Sequence, residues 1–237
     1  MASLDTTTQA RLSAVLERIE RAARGVGRDP RAVRLVAVSK TFGADQVRQA
    51  LAAGQHRFGE NYLQEALAKM AEVARSEAGR SVEWHFIGPI QSNKTRELAE
   101  RFDWVQSLDR LKIAQRLSGQ RPAERPPLNV LLQVNVSGEA SKHGVAPAAL
   151  PQLAHQVVAL PGLRLRGLMA IPEPTVDVAR QRAAFATMRE MFERLRGEPG
   201  AAGMDTLSMG MSEDLEAAIA EGSTMVRVGT AIFGARA

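Results

Sequence analysis

The chain has 237 residues, 45% of them hydrophobic, enough apolar material for one α/β barrel or two small domains. It contains no cysteine, which excludes disulfides and thiolate metal sites. The net charge of +5 is spread over Arg residues interleaved with Glu, as between Arg180 and Arg196, and aromatics make up only 4% of the chain. That pattern describes a solvated helix face with local ion pairs, so no nucleic-acid partner is expected. The polar start, Met1 to Gln9, has no apolar leader and no stretch approaches a membrane span. The expectation is a cytoplasmic monomer with no membrane partner.

Hydrophobic periodicity predicts an opening amphipathic helix over 12–23 and then a regular alternation. Strands are predicted over 34–40, 57–61, 82–88, 104–108, 129–136, 163–171, 206–211 and 225–234. Helices are predicted over 44–53, 63–75, 93–100, 110–117, 147–158, 177–196 and 212–220. The Pro-rich stretch 121–127 and the Gly-rich stretch 197–203 are short and read as loops, not linkers. Eight strands alternating with helices predict an α/β fold, a single-domain (β/α)8 TIM barrel over 1–237 with an extra N-terminal helix. A doubly wound open sheet is the alternative.

The first strand, Arg34-Leu35-Val36-Ala37-Val38-Ser39, is almost unbroken apolar sequence and closes on Lys40. Ligands of parallel α/β folds sit at strand C-termini, where an amine against apolar walls can act as a nucleophile toward a carbonyl. The plain alternative is a lysine marking the strand's exit into solvent. Other strand ends are polar too: Glu60-Asn61, Gly88 to Lys94, Asn135, Ser208 to Ser212 and Arg227 to Thr230. Barrels often bind phosphate with the loops after strands seven and eight. Ser208 and the Gly229-Thr230 backbone are the favoured phosphate cradle, because small residues let an anion approach. Ser212 reads as a helix N-cap with acidic Glu213 and Asp214 behind it. An amine at one strand end and a phosphate cradle across the mouth together describe pyridoxal 5′-phosphate. Of the five lysines, Lys69 and Lys112 fall on predicted outer helices, Lys94 and Lys142 in loops, and only Lys40 ends a buried strand.

The four histidines, His56, His85, His143 and His155, show no metal-ligand spacing, so no metal is expected. His85 reads as a satisfied core or pocket-wall residue. Gly25-Val26-Gly27 follows a helix and is no dinucleotide fingerprint, and there is no Walker A motif or nucleophile elbow.

Five motifs in order carry a resemblance: Leu35 to Lys40, Phe58 to Asn61, Trp84 to Lys94, Leu207 to Asp214 and Arg227 to Gly234. The chain resembles the pyridoxal phosphate homeostasis proteins of the YggS/PROSC type, relatives of the alanine racemase N-terminal barrel. The resemblance implies a fold-type III-like barrel and a covalent Schiff base to the cofactor at Lys40. It implies that Ser208, Gly229 and Thr230 hold the phosphate, that Arg227 faces the pyridine nitrogen, and that Asn61 sits near the ring. It implies a protein that binds and supplies the cofactor, with apo-enzymes as recipients and no established turnover. The alternative is a racemase-type enzyme; a Schiff-base aldolase is a weaker third reading. Two-base racemisation needs an acid/base on each face of the carbanion, and the chain's single tyrosine, Tyr62, is the only phenol available.

Overall fold

A computed structural model describes residues 6–76, 78–138 and 143–235. Eight parallel strands pair in chain order: β1 (Arg34–Val38), β2 (Arg57–Glu60), β3 (Glu83–Phe86), β4 (Trp104–Leu108), β5 (Leu128–Val134), β6 (Leu163–Ala170), β7 (Thr206–Ser208) and β8 (Met225–Val228). β8 pairs back onto β1, with Arg34 opposite Met225 and Ala37 opposite Val228, so the sheet closes. Closure rules out the open-sheet alternative and leaves no unpaired edge.

The helices are α1 (Thr6–Gly25), α2 (Ala44–Ala52), α3 (Leu63–Val73), α4 (Thr95–Arg101), α5 (Leu111–Gln120), α6 (Leu150–Val158), α7 (Val178–Arg196), α8 (Leu215–Ala220) and the single turn α9 (Thr230–Phe233). Successive strand residues point to opposite faces. Leu35 and Ala37 of β1 therefore join the apolar layer between barrel and helices. Val36 and Val38 turn inward, where their methyls would lie 3.1 and 3.5 Å from a Cβ at Gly59. In α1, Leu12, Val15, Ile19 and Ala23 recur at three- and four-residue spacing, and all are buried. Each such apolar side chain contributes about 1.5–3 kcal/mol when buried. This helix precedes the first βα unit and packs on α2, α8 and α9.

The eighth strand ends early and the helix before it starts late. The predicted strand over 225–234 stops at Val228, because Gly229 (φ −115°, ψ −76°) leaves the extended region and starts α9. The predicted helix over 212–220 starts at Leu215 instead. Asp214 accepts the Met211 N–H at 2.6 Å and closes a turn ahead of the helix, so Ser212 does not cap it.

The barrel interior holds a small apolar layer of Trp104, Leu131 and Met169. Above it runs a chain of buried polar groups. Arg227 Nη1 donates to Ser208 Oγ (2.6 Å), Ser208 Oγ to Gln106 Oε1 (2.7 Å), and Gln106 Nε2 to His85 Nδ1 (2.9 Å). His85 Nε2 then bonds Glu83 Oε1 at 2.8 Å. The accepting Nδ1 assigns the ring proton to Nε2, so every bond in the chain points the same way. His85 is fully buried and satisfied, as expected of a core residue.

Candidate functional site

The C-terminal ends of β1, β6, β7 and β8 surround a cavity of about 270 Å³. Lys40 stands on its β1 side beside Val38 and Phe42, two residues past the strand end. Arg227, Gly229 and Thr230 come from β8 and the turn after it, and Met211, Ser212, Glu213 and Asp214 from the loop after β7. Pro172, Pro174, Thr175 and Gln181 close it from the β6 side. Lys40, Arg227, Gly229 and Thr230, four of the residues singled out from sequence, are thus brought to one cavity.

Gly229 meets a steric demand there. A Cβ would sit 3.0 Å from the carbonyl oxygen and 3.3 Å from the Cβ of Val38, so a side chain would press on β1. Arg227 is 3% exposed. Its second terminal nitrogen, Nη2, donates to the Ala170 carbonyl at 2.9 Å, and burial lowers its pKa to about 10. It remains a cation at neutral pH, held at fixed orientation by Ser208 and Ala170. Burial also raises the carboxyl pKa of Asp214, against the opposing pull of the Met211 N–H and of Arg227.

Two expectations need correction. Ser208 is fully buried and does not line the cavity. Its hydroxyl donates to Gln106 and accepts from Arg227, so it holds the guanidinium and is not turned toward an anion. Ser212, read from sequence as a cap, lines the cavity instead. Asn61 lines a second cavity of about 580 Å³ over the ends of β2, β3 and β4, together with Tyr62, Phe86, Ile90, Lys94 and Arg110. Lys142 lies outside the described residues.

Lys69 is the largest departure. Expected on an outer face, it is 4% exposed. Its ammonium bonds Glu60 Oε1 (2.6 Å), the Ser39 carbonyl (2.7 Å) and Glu65 Oε1 (3.0 Å). The signal was present in the spacing. Lys69 falls three residues after Ala66 and four before Val73, both fully buried, so it lies on the inner arc of α3. Burial raises the Glu60 carboxyl pKa, and the bonds from Lys69 and Ser39 oppose that rise.

No ligand-holding cluster of His, Asp or Glu suited to a metal occurs among the described residues. None of the described helices is long and apolar enough to cross a membrane. The residues present fit pyridoxal 5′-phosphate by the chemistry of their donors. There is a primary amine (Lys40), a buried cation (Arg227), three hydroxyls (Thr175, Ser212 and Thr230) and a backbone without side chain at Gly229, with the carboxyls of Glu213 and Asp214 on the β7 side. Val38, Phe42 and Met211 supply apolar wall for a ring. The volume lies just under the roughly 300–1,000 Å³ usual for small-molecule sites, as suits a one-ring ligand.

The family model described as the alanine racemase N-terminal domain matches residues 10–237. The pyridoxal phosphate homeostasis protein of Pseudomonas aeruginosa is 63% identical over 98% of this chain and 96% of its own. That of Escherichia coli K12 is 54% identical over 95% of each chain. Among solved structures, PipY of Synechococcus elongatus with PLP bound superposes with a TM-score of 0.82 at 36% identity, covering 96% of this chain and 100% of its own. The alanine racemase of Corynebacterium glutamicum has a TM-score of 0.65 at 17% identity; 93% of this chain covers 60% of the racemase, a likeness of fold alone.

Proposed function

The chain belongs to the pyridoxal phosphate homeostasis proteins, built on the alanine racemase N-terminal barrel, and from that premise we propose that it binds pyridoxal 5′-phosphate in the Lys40 cavity and serves to hold and supply it. The observation that carries the reading is the placement of an amine, a buried guanidinium and a side-chain-free turn around one cavity at the catalytic face of a barrel. When bound, the cofactor would supply an aldehyde, an electrophilic carbon open to an unprotonated primary amine.

Lys40 supplies that amine. The Gly229 and Thr230 turn, with Ser212 from the loop after the neighbouring β7, would hold the phosphate through backbone and hydroxyl donors. Arg227 presents N–H groups to the ring nitrogen. A guanidinium donates and cannot accept, so it keeps that nitrogen unprotonated and weakens the ring as an electron sink. Ser208 acts at one remove, by orienting Arg227.

The same geometry favours a carrier over a racemase. Tyr62 lines the neighbouring cavity, and no histidine lines the cavity of Lys40. Neither a phenol nor an imidazole is thus placed to serve the second face of a substrate carbanion. The protein acts as a monomer, and its recipients are apo-enzymes that use the same cofactor. Incubating the loaded protein with such an apo-enzyme is the test: activity should appear in the recipient, while chiral analysis finds no racemisation of alanine or serine. Sustained racemisation that vanishes in Lys40→Ala would replace the carrier with an enzyme.

A further inference from the structure

Lys40 sits between two residues that α3 grips. On its N-terminal side, the buried Lys69 ammonium donates to the Ser39 carbonyl at 2.7 Å. The Ser39 hydroxyl donates to Glu60 Oε1 at 2.6 Å, the same oxygen that pairs with Lys69. On its C-terminal side, Glu65 Oε1 accepts the backbone N–H of Thr41 at 2.6 Å. Lys69 and Glu65 are bonded to each other at 3.0 Å, one helical turn apart. Both neighbours of Lys40 are therefore tied to one ion pair on α3.

Two features set this arrangement apart from ordinary packing. Thr41 has φ 69°, the one positive φ at a non-glycine among the described residues. A β-branched residue avoids that region unless its surroundings hold it there. The cluster is also costly: Glu60 is fully buried, and its Oε2 has no hydrogen-bond partner among the described residues. Apolar side chains of similar volume would anchor α3 on the barrel without burying charge. The charged arrangement instead serves the backbone on either side of one reactive amine.

We propose that Glu65 and Lys69 are positioning residues for Lys40: together they clamp the peptide groups that flank it and so fix the direction from which its amine meets a carbonyl ligand in the cavity. This rests on the reading of Lys40 as the attachment residue. A clamp of this kind acts on the rate of bond formation, because condensation requires the amine on the carbonyl's line of approach. None of its hydrogen bonds reaches the phosphate cradle, which comes from β8 and the turn after it.

Glu65 is the residue to change, since its side chain is 32% exposed and its loss opens no cavity in the core. Glu65→Leu removes the acceptor for Thr41; Glu65→Gln keeps an acceptor oxygen and serves as the conservative rescue. Pyridoxal 5′-phosphate is mixed with each cofactor-free protein, and the growth of the visible band is followed. Affinity for pyridoxine 5′-phosphate, which has an alcohol in place of the aldehyde, is measured in parallel. The expected result is a slowing of roughly tenfold in Glu65→Leu, a rate within about threefold of the parent in Glu65→Gln, and unchanged affinity for the alcohol in all three. Parent-like rates in Glu65→Leu overturn the clamp, whatever its melting temperature. So does a fall in alcohol affinity that matches the fall in rate, because the cavity and not the amine has then moved. A parent that forms no band, or one whose borohydride-fixed label lies away from Lys40, overturns the attachment reading itself.

Discussion

The two ends of the barrel use charged side chains in opposite ways. At the N-terminal end, the Cζ atoms of Arg34 and Arg166 lie 5.4 and 4.8 Å from the Trp104 ring centroid, and His85 stacks on the same ring at 5.3 Å. Arg166 is bonded in turn to Asp205 and Asn129, and Glu83 to His85 and Arg57. At the C-terminal end, charges line two cavities, and Thr41 holds a positive φ. One end binds its charges to one another, and the other sets them along cavity walls. The buried chain from Arg227 to Glu83 joins them, so the guanidinium in the cavity is braced against the barrel floor.

The division of labour predicts effects that separate cleanly. Lys40→Ala has the largest: covalent attachment is lost outright, while stability changes by no more than about 1 kcal/mol because the residue fills no core space. Borohydride reduction followed by peptide mapping reads the first half and urea unfolding the second. Trp104→Ala should do the reverse. It costs about 3–5 kcal/mol in urea unfolding through the cavity it leaves, while cofactor affinity at the other end stays within roughly threefold. A mutant that unfolds no more easily but loses the cofactor would break the comparison.

Thr230→Val, which keeps the shape and removes the hydroxyl, should weaken cofactor retention by about 1–3 kcal/mol. Equilibrium dialysis checks it, and parent-like retention would remove Thr230 from the cradle.

The smallest effect is one of pH. Burial lowers the His85 pKa below its ordinary 6.5, against the pull of Glu83. Protonation would also place an N–H on Nδ1 facing the Gln106 amide that now donates to it. A lowered pKa gives stability that is complete above pH 6.5 and is lost as pH falls. Glu83 adds to the acid side. Burial alone would raise its pKa, but His85 and Arg57 together hold it at about 2, so its contribution is present above about 4.5 and fades toward 2. Melting temperature should therefore begin to fall just under pH 6.5 and fall more steeply below 4.5. His85→Gln should remove the first limb and weaken the second, because His85 is the chief group that holds the Glu83 pKa down. An unchanged upper limb would mean that His85 does not titrate with unfolding.

Local pattern and spacing were enough to place eight strands in order, the extra helix ahead of β1, and Lys40 at the end of a strand, because each depends on a residue's near neighbours. Arg227, Gly229 and Thr230 were readable as polar and small residues of the eighth strand, but its exit at Val228 was not, because apolar sequence resumes at Ala231-Ile232-Phe233. Only the tertiary structure decided which polar residues face space and which face each other. Ser208 and Ser212 are four residues apart in one motif, yet one braces Arg227 inside the barrel and the other lines the cavity. β7 ends at Ser208, and the chain has left the sheet by Ser212. Lys69, hydrophilic by type and set in a helix, is buried because its partners Ser39 and Glu60 arrive from β1 and β2, strands whose side-by-side pairing no local pattern records. Burial of a charge is settled by where its partners lie in space, and for this chain that required the closed barrel.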